Sequence, residues 1–336
     1  MQMKNRDLVW DAVKGVAIIL MVIGHSGCPV YLRRFIYLFH MGVFFYVSGR
    51  YLNIKGVDVV HFLKKKGYSL YVPFVKWGGI FVLLHNFFYL LGWYESSYSQ
   101  IETIKHLLGT LMFKDTEGLL GASWFLQSMF KALLLTYVIC LIPIKKIHPI
   151  VVLCIYTIGW LLCAKHIHLF YSLNREMVVT ACVWLGYMTK KLKHIESWRY
   201  YVLSIVILLG GIWSYPIDLV GDEVGFYGAL PLFTIAGVVL LLGIVRLLKN
   251  YANRLFVYLA LIGQNTIPVF MLHFVGFHIL SIFLVKLGIG HAQSLSSPTV
   301  LEGLNHNLWF VLYTLVGILI PLVYVKIKAI VLSRKK

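Results

Sequence analysis

The chain has 336 residues, 60% of them hydrophobic and 13% charged, with a net charge of +18 and a mean hydropathy of +0.80. A soluble domain cannot bury that much apolar side chain, so the composition predicts an all-α polytopic membrane protein. The positive charge would suit nucleic acid in a soluble chain. Here the Lys and Arg residues stand in short segments between apolar runs, as orientation signals do, and nucleic acid is excluded as a partner.

Runs long enough to cross a bilayer as helices fall at about 9–27, 34–53, 69–92, 121–142, 149–165, 177–190, 199–215, 226–247, 265–286 and 308–330. About ten transmembrane helices put both termini on one side. The N-terminus, the even-numbered connections and the C-terminus hold most of the cations, among them Lys4, Arg6, Lys64, Lys65, Lys66, Lys145, Lys146, Lys190, Lys191, Lys193, Arg246 and Lys335. The opposite side holds fewer, including Arg33, Arg34, Lys105, Lys114, Lys165, Arg175 and Lys286, together with acidic Glu102, Asp115, Glu117, Asp218, Asp222 and Glu223. Both termini are therefore expected in the cytoplasm. Residues 104–113 read as an interfacial amphipathic helix. The first run carries no small-residue cleavage site, so no cleavable signal peptide is expected. No internal repeat is found, and residues 1–336 read as a single membrane domain. Cys140, Cys154, Cys163 and Cys182 lie in or beside apolar runs with no metal-ligand spacing and read as packing residues.

The first span holds the most informative residues. Lys14 and His25 are eleven residues apart, close to three helical turns, which stacks ammonium and imidazole on one face about 16 Å apart along the axis. Asp11 lies one turn before Lys14. Ionisable residues inside a spanning helix are costly and mark a functional site by default. The second span returns with His40 at the depth of His25 and Arg50 at that of Lys14, giving an outer histidine layer and an inner cationic layer. Histidine exchanges protons near neutral pH, and Lys and Arg suit a phosphate-bearing donor. Blander readings stand beside these: a histidine that only bonds between helices, a Lys14 that snorkels beside a neutralising Asp11, and Arg50 and Lys64–Lys66 as topology determinants. His166 and His168 share a short outer loop without an acidic or cysteine partner at ligand spacing, so no metal is expected.

These residues carry a resemblance. Asp11-x-x-Lys14-Gly15 with His25 resembles the first-span pattern of the acyltransferase-3 family of integral membrane O-acyltransferases. Phe39-His40-Met41-Gly42-Val43-Phe44-Phe45-Tyr46-Val47-Ser48-Gly49 is similar to that family's FHMPLFFFxSG. A basic segment before Leu70-Tyr-Val-Pro73-Phe74, then Trp124-Phe125-Leu126, then Ile262-Gly263-Gln264-Asn265-Thr266 leading to His273, continue it in order. Lys14 stands where many members have arginine, and Gly42 stands where proline is usual.

The resemblance implies a ten-helix domain in the bacterial inner membrane that takes an acyl group from cytoplasmic acetyl-CoA. The acceptor would be a hydroxyl of a surface glycan or its lipid-linked precursor, and the variant is nearest the fucose and enterobacterial common antigen types. His25, His40 and Asp11 are then expected to be catalytic, with His25 as general base and His40 orienting it or stabilising an oxyanion. Lys14, Arg50, Lys65 and Lys66 are expected to hold the donor. Trp124 is expected either to stack on a sugar or to anchor at the interface. Asn265 and His273 are expected to line the acceptor side if the helix breaks at Gly263. Membrane lipids are the only other partner implied, and the oligomeric state is not legible. A proton-coupled transporter or flippase of an anionic or lipid-linked sugar stays open as a second class, since it too uses intramembrane His, Lys and Asp.

Overall fold

A computed structural model describes residues 7–114, 117–191, 197–214, 216–289, 295–300 and 309–333. Lys4, Arg6, Asp115, Lys193 and Lys335 of the charge pattern lie outside the described residues. The helices in chain order are α1 Leu8–His25, α2 Val30–Tyr37, α3 His40–Arg50, α4 Val59–Lys66, α5 Val72–Leu90, α6 Gln100–Leu111, α7 Trp124–Leu141, α8 His148–Ala164, α9 Leu173–Thr189, α10 Trp198–Gly211, α11 Ala229–Tyr251, α12 Asn253–Gln264, α13 Thr266–Lys286 and α14 Trp309–Ser333. Among the described residues the only strands are β1 Ile217–Asp218 and β2 Glu223–Val224, an antiparallel pair.

The protein is an all-α polytopic membrane protein. Seven helices among the described residues are long and apolar enough to cross a membrane: α1, a continuous helix Val59–Leu90, α7, Lys145–Ala164, α11, α13 and α14. The other three expected spans fall on shorter helices. The run at 34–53 is divided between α2 and α3, broken at Leu38 and Phe39. Phe39 turns its ring into the space left by Gly237 of α11, so a buried anchor stands where a continuous helix was expected. The run at 177–190 is α9 and that at 199–215 is α10. The third run starts earlier than expected, because α4 continues through a π-helical turn, Gly67–Tyr71, into α5. Pro73 at the start of α5 has no N–H for the regular ladder, and a widened turn ahead of it accommodates that loss.

The chain divides into two compact units: Met1–Ala17, Tyr31–Lys66 and Ser128–Gln264 form the first, and Ile18–Val30, Gly67–Gln127 and Asn265–Lys336 the second. In the first unit α3 packs on α9 and α11. A methyl group at Gly49 would strike the Val183 carbonyl, and one at Gly186 would strike the Tyr46 carbonyl, so two glycines let these backbones touch. Without a hydrophobic drive between helices in lipid, such small-residue contacts carry the association. In the second unit α13 packs on α14, where Phe277 fills the space beside Gly317. The expected amphipathic helix is α6, opened by a capping box in which Ser99 and Glu102 satisfy each other's backbone N–H groups. Leu83 and Leu90 of α5 and Leu319 of α14 are exposed, as lipid-facing positions are.

Candidate functional site

The first unit holds Asp11, Lys14, His40, Arg50, Lys65 and Lys66, and the second holds His25, Trp124, Asn265 and His273. Helix α1 begins in one unit and ends in the other, so Lys14 and His25 share a helix but have different surroundings.

Around the start of α1, Lys14 Nζ forms an ion pair with Asp11 Oδ1 at 2.8 Å; the aspartate side chain is 6% exposed and the lysine 23%. Asp11 Oδ2 accepts a hydrogen bond from Gln264 Nε2 of α12 at 3.2 Å. This arrangement needs two glycines. A Cβ at Gly15 would meet the Leu259 carbonyl, and one at Gly263 would meet the Asp11 carbonyl. The Lys14-Gly15 pair and the Gly263-Gln264 pair, far apart in sequence, are therefore one contact between α1 and α12. Sequence reasoning gave no role to Gln264; its place beside Gly263 was the available signal.

Arg50, at the end of α3, donates through Nη1 to the Thr189 carbonyl at 2.8 Å, and its guanidinium lies 4.7 Å from the Trp10 ring centroid. The Tyr46 hydroxyl is 2.6 Å from Thr189 Oγ1, and the Trp10 and Tyr46 rings stand 6.0 Å apart. The guanidinium is thus held between an aromatic ring and a helix C-terminus, both favourable to a cation. His40 is buried; its Nδ1 donates to the Ile36 carbonyl at 2.9 Å and its ring lies 5.1 Å from Tyr37. Gly42 is explained two residues on: a side chain there would strike Thr234 of α11. Of the lysine run, Lys65 is exposed and Lys66 is half-buried with its ammonium 5.9 Å from the Phe62 ring.

The second unit gives His25 its neighbours. Its ring centroid lies 5.5 Å from His273 and 5.3 Å from Phe274. His273 is fully buried. Its Nδ1 donates to the carbonyls of Val269 at 3.0 Å and Phe270 at 3.1 Å. That fixes the tautomer and leaves Nε2 as the lone-pair nitrogen, which has no hydrogen-bond partner. The end of α1 is anchored next to it, since Thr314 of α14 donates to Ser26 at 3.2 Å. Trp124 is half-buried at the start of α7, edge-on to Phe125, which stacks on Phe270 at 4.9 Å. The helix break lies at Asn265, the residue just before α13, two residues after Gly263.

Three buried polar groups carried no sequence pattern. Glu117 Oε2 accepts from the Tyr94 hydroxyl at 2.7 Å and lies 3.3 Å from His85 Nδ1, with His85 stacked between Tyr94 and Tyr98. Burial first, and then the Glu117 carboxylate, push both phenols well above the usual tyrosine range. In the first unit Glu176 is fully buried between Arg175 and Lys131, at 3.0 and 3.1 Å. His168 Nδ1 lies 2.9 Å from Asp222 Oδ2, which also accepts from Asn174. His168 thus has an acidic neighbour that its sequence spacing did not reveal. Among the described residues no group of three His, Cys, Asp or Glu side chains is placed to hold a metal ion.

An ion-paired lysine on α1, the α3 guanidinium over the Trp10 ring and the His25–His273 imidazole pair are ionisable groups that these helices of a membrane protein bring into contact. The sequence model of the acyltransferase-3 family, described as an acyltransferase domain, matches residues 8–326. The chain belongs to this family and is a multi-pass membrane acyltransferase. No curated protein and no solved structure matches it.

Proposed function

We propose that the protein transfers an acetyl group from acetyl-CoA to a hydroxyl of a surface glycan or its lipid-linked precursor, in the bacterial inner membrane with both termini cytoplasmic, and that residues 1–336 work as a single domain. The observation that carries this reading is the His25–His273 pair at 5.5 Å on a chain of the acyltransferase family. An alcohol is a poor nucleophile until its proton is taken. His25, half-buried at the end of α1, is the general base. It accepts the hydroxyl proton as the oxygen attacks the thioester carbonyl; the C–S bond then breaks, and the departing CoA sulfur takes the proton from the imidazolium.

His273 keeps its lone-pair nitrogen in a dry setting near His25, where it favours the ring that must collect a proton. Arg50 is the strongest candidate for the phosphates of the donor, because a planar guanidinium offers paired donors to phosphate oxygens. Lys65 and Lys66 add positive charge. The Lys14 charge is already matched by Asp11, so this pair supports α1 rather than the donor. His40 is the candidate for the oxyanion, and Trp124 and Asn265 for acceptor contacts.

The experiment is incubation of the purified protein with acetyl-labelled acetyl-CoA and glycan fractions. Acceptor-dependent CoA release, with label on the glycan, supports the reading. Solute uptake driven by a proton gradient, with no CoA release, replaces it with a transporter.

A further inference from the structure

The proposed reaction fixes where the acyl chain must start. A general base works within about 2.6–3.2 Å of the attacking oxygen, and that oxygen stands about 3–3.5 Å from the carbonyl carbon it attacks. With His25 as the base, the first carbons of the acyl group lie against the side chains that wall this imidazole. Those side chains decide which chain lengths fit.

Phe274 of α13 is such a wall. Its ring centroid lies 5.3 Å from that of His25 and 4.2 Å from that of His273, and the residue is only 8% exposed. Phe277 meets the ring edge-on at 5.8 Å. The tip of the ring reaches the turn before α7, where a methyl group at Gly121 would lie 3.3 Å from Phe274 Cε2. Gly121 thus leaves the space in which the ring tip seats, and packing on these sides fixes the ring in place.

The same phenylalanine lines a cavity of about 420 Å³ in the second unit that none of the roles above uses. Gly118 and Leu119, from the turn that the ring tip touches, belong to its wall, with Trp93, Tyr94 and Pro298. Two of its polar residues satisfy each other, since Ser296 donates to Glu95 Oε1 at 3.5 Å. The size is that of a small-molecule site, roughly 300–1,000 Å³, and the aromatic and aliphatic walls suit a hydrocarbon chain better than a charged group. One phenyl ring therefore touches the imidazole pair and also walls this cavity.

We infer that Phe274 sets the length of the acyl group: its ring closes the way from His25 into the cavity and restricts the donor to acetyl, and a smaller residue there admits longer chains such as hexanoyl. One methylene more or less in a fitted apolar pocket changes selection about 10–200-fold. The inference rests on the transferase reading for the position of the acyl group at His25.

The test titrates the full-length protein in lipid nanodiscs with two donors that cannot transfer, the acetyl-CoA and hexanoyl-CoA analogues in which a methylene replaces the thioester sulfur. Calorimetry reads the affinity of each, with empty nanodiscs as the blank. Wild type is expected to bind the acetyl analogue at least tenfold more tightly than the hexanoyl analogue. That ratio is expected to move toward hexanoyl by tenfold or more in Phe274→Ala and by fivefold or more in Phe274→Leu, which carries the test if the alanine variant fails to fold. Adding Ser296→Trp, which fills the cavity from a half-buried position, is expected to restore the wild-type ratio. Binding of neither analogue overturns the inference, as do equal wild-type affinities, a ratio in Phe274→Leu within twofold of wild type, or a gain in hexanoyl binding that Ser296→Trp leaves in place. A shifted ratio in a protein that puts acetyl on no glycan fraction keeps the role of Phe274 and removes the glycan reading. Acetyl transfer to a glycan by a protein whose ratio does not move in the variants keeps that reading and removes the role of Phe274.

Discussion

Gln264 donates a hydrogen bond to Asp11 across 253 residues of sequence, at 3.2 Å, while Asp11 holds Lys14 at 2.8 Å. This three-residue arrangement joins the first helix to the end of α12 and accounts for the glycines on both sides of it. Removing the carboxylate leaves a partly buried ammonium without its partner. Asp11→Ala should lower stability by about 2 kcal/mol, less than for a fully buried pair because Lys14 keeps some exposure. Gly15→Ala should cost about 1–3 kcal/mol through overpacking against Leu259. Thermal unfolding in a fixed detergent measures both, and wild-type transitions for both variants would refute the contact.

His25→Ala should lower acetyl transfer by about 10²–10⁴-fold, the range a general base contributes. His273→Gln, which keeps polarity but not the imidazole, should slow transfer less and shift the pH profile of kcat/KM. Inserted, folded His25→Ala protein with full activity would remove His25 from its proposed role.

Arg50→Lys keeps the charge but loses the planar fork and its fit on Trp10. The KM for acetyl-CoA should rise about tenfold or more, matching a charged hydrogen bond of about 1.5–3 kcal/mol. Lys14→Arg, which keeps its pairing with Asp11, should change that KM less than threefold, or about 0.6 kcal/mol. Equal effects of the two variants on KM would place both cations at the donor.

Tyr94 and Tyr98 hold their protons more tightly in the folded protein than in the unfolded chain, where phenols ionise near pH 10. Their contribution to stability is complete below that value and is lost as pH rises above it, since the unfolded chain ionises first. Alkaline unfolding monitored against pH should therefore begin at a higher pH in Tyr94→Phe. An unchanged alkaline transition in that variant counts against the buried Tyr94–Glu117 bond.

Glu176 is fully buried between Arg175 and Lys131. Lys131→Met leaves one cation for the carboxylate and should destabilise by about 3 kcal/mol, as for other broken buried pairs. Chemical denaturation in mixed micelles reads the difference, and a stability within 0.5 kcal/mol of wild type, about the scatter of neutral surface changes, would contradict it.

The sequence by itself determined the class of the protein and its conspicuous residues. Runs of apolar side chains have few ways to meet lipid, so helix and membrane follow from composition. Asp11, Lys14, His25 and His40 stood out because charge is rare in such runs. Tertiary structure decided which side chains meet. It gave His25 the neighbour His273, and Asp11 the neighbour Gln264, from helices more than 200 residues away in the chain. It broke the second span at Phe39, where a buried ring fits beside Gly237, and put α12 in a stretch read as connection. It also assembled the Glu117 cluster from His85 of α5 and from Tyr94 and Tyr98 of the connection that follows it. Hydropathy reports the environment of a helix, and nothing in a one-dimensional pattern reports which face of one helix will touch another.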